Sequence, residues 1–330
     1  MAADGGGTKL QAILYDEDLH IVGSARMSGT NTILRRPEDV REDMGRLIEE
    51  LVPEGVCQVE GVDLCVLKYG EAFLDILRKR CTVGGHALYG EGETALAAAG
   101  AAYGIVAQAG TGSDAFLVQP GGQMSIGGWG YIFGDEGSGY DIGERTLRAA
   151  IHAFDGRGPK TLILDILKER WGFGELWDIV GMAMGGGDYR HLVASASYIT
   201  SEAARLDDAV ALGIYETAAR EMAAQVFAVA ARNGGAWQGP IVASGGVWKG
   251  HPRMFQAFCG EIRERYPDAR IVHPVFEPVV GCVVLRRFAD GETFEGFADS
   301  LRREFAPFCY SAEGQPRFRP VDSAARQCPE

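Results

Sequence analysis

The chain has 330 residues, a hydrophobic content of 46%, a charged content of 23% and a formal net charge of -13. These values describe a globular protein long enough for two ordinary domains and exclude a disordered or fibrous chain. The acidic balance argues against a nucleic-acid binder, which would show a basic face, and leaves any small anionic substrate dependent on backbone amides or a metal. The opening run, "MAADGGGTKLQAILYDEDLHIVGSARM", reads as strands around a glycine turn at residues 5–7. Leu10, Ala12 and Leu14 alternate with polar neighbours, and "DEDLH" supplies the next turn before Ile21 and Val22. Val40, Met44, Leu47, Ile48 and Leu51 recur at helical spacing in "PEDVREDMGRLIEELV". "GVDLCVL" is a buried strand candidate, "EAFLDILRKRC" a second amphipathic helix, and "GEGETALAAAGAAYG" a loop opening an Ala-rich helix.

The pattern then begins again. "GIVAQAGTGSDAFLVQPGG" is strand, polar glycine turn, strand, as at the start of the chain. A hairpin at the head of each half suggests two domains of related topology facing one another across a cleft. The division falls near residue 102: a first domain at 1–102, a second at 103–289, and a segment at 290–330. The second half carries long helices such as "EMAAQVFAVAARNGG", the strand "PIVASGG" and the late helix "PVVGCVVLRRFADG". After it, "FEGFADSLRREF" is weakly amphipathic and a polar, Pro-containing tail closes the chain.

Seven cysteines, at positions 57, 65, 81, 259, 282, 309 and 328, form no C-x-x-C pair. The odd count and scattered spacing suggest free thiols in a reducing compartment, with Cys65 and Cys282 buried as small apolar groups. No run has the length of a membrane span and no charged segment leads into a long apolar one, so the expected location is the cytoplasm. The histidines show no H-x-x-x-H spacing and suggest no metal or triad.

Three glycine turns carry chemistry. In "DGGGTK" an acidic strand end, three glycines and a threonine would expose successive backbone N–H groups, an anion site with Asp4 placed to hold magnesium. The plain alternative is a hairpin turn, and the spacing is not that of a P-loop. "GTGSD", from Gly110 to Asp114, offers a second such turn, and the two together could clasp the phosphates of a nucleotide. A third, "ASGGVWKG", follows a strand, where Gly245 and Gly246 could let an adenosine lie against the backbone; an ordinary strand-to-helix turn is the alternative. The stretch "GGWGYIFGDEGSGYDIG" at 127–143 is dense in glycine, which marks tight turns or close approach of a ligand. There Trp129 could instead be a core aromatic, and Ser138 with Asp141 resembles a helix cap.

"DGGGTK", "GTGS", "GGWG…GDEGSGY" and "SGGVWK" stand in the order and rough spacing of the N-acetylglucosamine kinase group. The chain thus resembles, over roughly residues 1–289, the BadF/BadG/BcrA/BcrD-type ATPases of the actin, sugar-kinase and Hsp70 superfamily. The resemblance implies an α/β fold of two ribonuclease H-like (actin-like ATPase) domains flanking a central cleft. It implies ATP and Mg2+ as cofactors, with Gly6, Gly7, Thr8, Lys9, Gly110, Thr111, Gly112, Gly245 and Gly246 on the nucleotide and Asp4 on the metal. It implies an amino sugar held by Asn31, Ser113, Asp114, Gly128, Trp129, Gly130 and Asp135. As partners it implies ATP and the sugar, neither nucleic acid nor membrane, and a homodimer as one assembly.

The chain also departs from the group. A sugar kinase needs a carboxylate within reach of the accepting hydroxyl, and the group supplies an Asp at the head of an Ala-rich helix. Here "GEGETALAAAGA" puts Glu91 at that place, with Asp135 as the other catalytic carboxylate. The extra methylene displaces the carboxylate by roughly an ångström, a shift that can cost on the order of a hundredfold in rate. "VLKYGEAF" stands where relatives carry a glycine-containing sugar-binding turn, so Lys68 and Tyr69 either touch a different substrate or fill the pocket, and Asp141 replaces a frequent aromatic. The leading expectation is an ATP-dependent kinase of N-acetylglucosamine or a related hexosamine. The alternatives are a catalytically impaired ATP- and sugar-binding sensor and an activator ATPase of a radical dehydratase, whose cluster-binding cysteines sit in glycine-rich turns that hold none here.

Overall fold

The computed structural model describes residues 1–7, 9–30, 35–66, 68–184 and 189–311. Apolar alternation builds the first sheet: β1 (Ala2–Gly5), β2 (Lys9–Tyr15) and β3 (Ile21–Ser28) run as an antiparallel meander. After α1 (Pro37–Leu51) the chain enters β4 (Gln58–Val66), crosses through α2 (Gly70–Arg78) and returns in β5 (Thr82–Leu88). Both β4 and β5 are parallel to β1, giving the order β3-β2-β1-β4-β5. The five apolar positions read as helical in α1 are all buried, and Pro37 begins the helix where its missing N–H costs nothing.

Helix α3 (Glu91–Ala97) leads to a second sheet of the same design. β6 (Gly104–Ala109), β7 (Ser113–Gln119) and β8 (Gly122–Gly127) form the meander, and α4 (Gly139–Asp155) follows. Four short helices come next: α5 (Ile163–Trp171), α6 (Asp178–Met184), α7 (Tyr189–Ser195) and α8 (Ser197–Ala204). The long α9 (Ala209–Arg232) lies across β6, β7 and β8, and its frequent alanines let it seat closely there. β9 (Ile241–Ser244), α10 (Pro252–Arg265) and β10 (Ile271–Val272) complete the order β10-β9-β6-β7-β8. In both sheets the second strand lies antiparallel beside the first, with the third antiparallel to the second beyond it, and the fourth and fifth lie on the other side, parallel. The fold is therefore an α/β duplication.

Three strands escaped the sequence reading, the two-residue β10 among them. β5 is an edge strand with glycines at 84 and 85 and alternating partial exposure, so it lacks an apolar stripe, and β8 shares that character. The end of the chain also packs away from its place in sequence. α11 (Pro278–Ala289) lies on β1, β4 and α3, and α12 (Phe294–Glu304) joins it, so residues 278–289 cover the first sheet. Gly281 is the close crossing of α11 over α3: a Cβ there would stand 1.9 Å from the Thr94 carbonyl oxygen. The other face of α3 meets the second sheet, where Ala95 and Leu96 pack with Val106, Phe116 and Val242. Helix α3 is thus held by both halves of the molecule.

Candidate active site between the two sheets

The first glycine turn follows β1. The Gly6 amide donates to the Lys9 carbonyl at 2.9 Å, and the Gly6 carbonyl accepts from the Thr30 amide at 3.0 Å. Open space stands beside the Cα atoms of Gly6 and Gly7. Thr8 and Asn31 lie outside the described residues. In the second turn the Gly110 amide closes on the Gly112 carbonyl at 2.9 Å. Its carbonyls take up the start of α4, Gly110 accepting from the Gly139 amide at 2.8 Å and Thr111 from Tyr140 at 3.3 Å. Among the described residues nothing accepts from the Thr111 and Gly112 amides, which leaves both N–H groups of this turn unused. The third turn is fixed against the second. Gly245 has φ of +112° and its missing Cβ would be 2.3 Å from the Ala109 carbonyl oxygen, so glycine alone fits.

Three carboxylates converge beside these turns. Glu91 is the first residue of α3, where the next residue, Gly92, rests on β7: a Cβ at Gly92 would be 2.6 Å from the Phe116 Cβ. Asp114 lies two residues before Phe116 on β7, on the same face, which brings it beside Glu91. Burial pushes the Asp114 carboxyl up to about 7, with further repulsion from Glu91 and Asp135. Burial likewise pushes Asp4 up to about 7; Lys9 pulls it down, while Glu91 and Glu277 push it up. Glu91 is raised by burial alone. Among the described residues neither Glu91 nor Asp114 has an ion-pair partner.

Asp135 is placed differently. It sits in a left-handed backbone conformation, φ +61°, and is buried. Its carboxylate accepts from Arg190 Nη2 at 3.0 Å and from the Ser113 amide at 3.4 Å. Ser113 Oγ in turn donates to the Glu136 carbonyl at 2.6 Å, where Gln225 of α9 also donates. Asp135 and Ser113 therefore brace the loop, with the carboxylate paired to Arg190. Arg190 was not visible as a site residue in sequence, because its partner is 55 positions away.

The 127–134 loop carries left-handed glycines at 127, 128 and 130 and exposes Trp129, Ile132 and Phe133. Trp129 is 79% exposed, which overturns its reading as a core aromatic. Gly128 lies against Asp114, whose Oδ2 would be 3.0 Å from a Cβ at that position. The cap reading of Ser138 holds: its side chain accepts from the Asp141 amide at 3.2 Å, and Asp141 takes the Gly137 amide and Arg145. At the end of β4, Lys68 is exposed with φ of +62°, whereas Tyr69 fills the core of the first lobe.

Across the cleft floor Glu277, which precedes α11, accepts from Lys9 at 3.4 Å and from Lys249, just past the third turn. Neither Lys249 nor Glu277 was singled out in sequence, since only the folded chain makes them neighbours of Lys9. The cysteines among the described residues are free, with Cys65 and Cys282 buried as expected. Among the described residues no group of three or more His, Cys, Asp and Glu could hold a metal ion, and no helix is long and apolar enough to cross a membrane.

A family model described as the BadF/BadG/BcrA/BcrD ATPase family matches residues 3–285. The chain is 28% identical over 306 residues to the N-acetylmuramic acid/N-acetylglucosamine kinase of Clostridium acetobutylicum, covering 86% of this chain and 96% of that one. It is 29% identical over 190 residues to the N-acetyl-D-glucosamine kinase of Dictyostelium discoideum, covering 56% and 60%. Among solved structures, one from Chromobacterium violaceum described as a candidate N-acetylglucosamine kinase superposes with a TM-score of 0.66 at 22% identity, covering 86% of this chain and 97% of that one. A ROK family glucokinase from Streptomyces griseus gives a TM-score of 0.53 at 17% identity, covering 88% and 99%. Both structures share the two-lobed fold.

Proposed function

The chain belongs to the BadF/BadG/BcrA/BcrD ATPase family, and we propose that it is an ATP-dependent kinase of an amino sugar, N-acetylglucosamine or a related hexosamine. The observation that carries this reading is the second glycine turn, whose Thr111 and Gly112 amides are not taken up among the described residues, beside the unpaired carboxylates Glu91 and Asp114. In this scheme residues 1–102 and 103–289 form the two lobes, residues 290–330 the C-terminal segment, and α11 is lent back to the first lobe. The turns at 5–7, 110–112 and 245–246 take the nucleotide, with the Thr111 and Gly112 amides on its phosphates.

Glu91 is the base. A carboxylate raised by burial is a stronger proton acceptor than an ordinary one, and it stands at the head of a helix that both lobes grip. It accepts the proton of the sugar hydroxyl as the oxygen attacks the γ-phosphorus, and ADP leaves. Asp114 and the backbone at Gly128 and Gly130 receive the sugar, with Trp129 exposed above them. Asp135, held by Arg190, keeps that loop in shape.

The residues fit magnesium. Asp4 is a hard oxygen donor pushed up to about 7, a carboxylate that a cation would stabilise, and magnesium commonly needs only one or two carboxylates besides phosphates and water. When bound there it would neutralise charge on the phosphates of ATP.

The test is direct. Purified protein with ATP and magnesium is offered N-acetylglucosamine, N-acetylmuramic acid, N-acetylmannosamine, glucosamine and glucose, with ADP release and phosphosugar mass as readouts. ADP and a sugar phosphate should appear with an N-acetylated hexosamine. Nucleotide binding without any sugar phosphate across the panel refutes the kinase and favours a sensor.

A further inference from the structure

The residues that tie the nucleotide turns of one lobe to those of the other lie off the turns themselves. Glu277 Oε2 accepts from Lys9 Nζ at 3.4 Å, and Glu277 Oε1 accepts from Lys249 Nζ. Lys9 begins β2 directly after the first glycine turn, and Lys249 closes the short helical turn Val247–Lys249 after the third. One carboxylate therefore holds two ammonium groups that come from two different sheets. The three side chains keep between 22% and 30% of their exposure, so they border the solvent of the cleft.

Their surroundings make this a built arrangement. Burial works against the ionised Glu277, but Lys9 and Lys249 more than offset it and hold its carboxyl below the ordinary glutamate value. The Tyr310 ring packs over Lys249 Nζ at 4.3 Å, while its hydroxyl donates to the Gly245 carbonyl at 3.3 Å. Asp4 senses both Lys9 and Glu277, so the trio stands within electrostatic range of the first turn.

We propose that Glu277 is a positioning residue of the nucleotide site, holding Lys9 and Lys249 where their ammonium groups meet the polyphosphate from opposite lobes. This rests on the reading that the three glycine turns take ATP. Lysine is a point charge on a flexible stem, and two of them left together would repel and swing to solvent. Sharing one carboxylate fixes both and still leaves the trio a net charge of +1. In a chain of net charge -13, with Asp4 close by and Glu91 near Asp4, that positive remainder is what a polyphosphate needs.

Charge counting alone predicts the opposite effect of removing the carboxylate. Two unneutralised lysines would attract ADP more strongly, so the sign of the change decides. The experiment titrates ADP, with magnesium, into the full chain and into Glu277→Gln, Lys249→Met and the double variant by calorimetry. Positioning predicts that Glu277→Gln weakens ADP binding by about tenfold or more, the loss of a charge-assisted contact. It predicts a matching rise in KM for ATP, an unchanged KM for the sugar, and a double variant no worse than the weaker single one. Unchanged or tighter ADP binding in folded Glu277→Gln overturns the proposal. If that variant does not fold, unchanged ADP affinity in Lys249→Met overturns it. Failure of the unaltered chain to bind ADP overturns the nucleotide reading and the proposal together, and so is told apart from failure of Glu277 alone.

Discussion

Asp114 supplies the sharpest test of how the cleft is built, because its carboxyl is perturbed for identified reasons. Burial, then the like charges of Glu91 and Asp135, push it from 3.8 to about 7. Between those values the folded chain keeps a proton that the unfolded chain has released, so stability falls as pH rises through the window. A shift of about three units is worth about 4 kcal/mol, and the partial solvent contact of Asp114 reduces the realised cost to about 1–3 kcal/mol. Asparagine reproduces the neutral form. Asp114→Asn should therefore raise the unfolding free energy by about 1–3 kcal/mol at about pH 8, and at about pH 4.5 by only about a quarter of that. Urea unfolding followed by tryptophan fluorescence, compared at equal slope, reads the difference. The same variant should raise KM for the sugar, so stability and function move in opposite directions. An equal stability change at both pH values, or destabilisation at pH 8, refutes the reasoning.

Three further outcomes test the neighbouring parts. Glu91→Gln should lower kcat by about 10²–10⁴-fold while ADP and sugar still bind; a loss under about tenfold removes Glu91 as the base. Gly245→Ala drives a Cβ to within 2.3 Å of the Ala109 carbonyl oxygen at a φ of +112°. It should cost at least about 2 kcal/mol of stability in urea unfolding and abolish ADP binding in whatever fraction folds. Trp129→Ala, at a position 79% exposed, should leave stability within about 0.5 kcal/mol and raise KM for the sugar but not for ATP; a Trp129→Ala chain with unchanged sugar kinetics removes Trp129 from the site.

The fold was legible where local pattern and burial agree. The apolar spacing of α1 and the alternation of β2 are one-face patterns, and each buries the residues the spacing selects. The repeated strand–glycine–strand opening announced the duplication, which the matching strand orders bear out. Edge strands were harder to see. β5 pairs through its backbone to β4 on one side only, so its side chains need no apolar stripe, and its glycines look like a loop. The return of α11 to the first sheet was invisible for another reason: it depends on a close helix crossing at Gly281, and a single glycine within an apolar run carries no address.

Within the candidate site, what was legible is backbone geometry. Glycine turns after strands are local in sequence, so those at 5–7, 110–112 and 245–246 could be read as turns, whereas which of their amides stay unused is set by the fold. Arg190, Lys249 and Glu277 could not, because each acts through a partner far away in sequence. Glu91 falls between these cases. Its type and its place at the head of α3 are local facts, but the reach of its carboxylate is set by contacts from two directions. Gly92 rests on Phe116 of the second sheet, and Gly281 of α11 closes on Thr94 from the first. A helix gripped in this way cannot slide to absorb the extra methylene of a glutamate. On the proposal that Glu91 is the base, the difference in reach falls to the proposed sugar side, the loop around Trp129 or the turn at Lys68. Trp129 and Lys68 are both exposed, and the turn at Lys68 is where the chain departs from the kinase pattern it otherwise resembles.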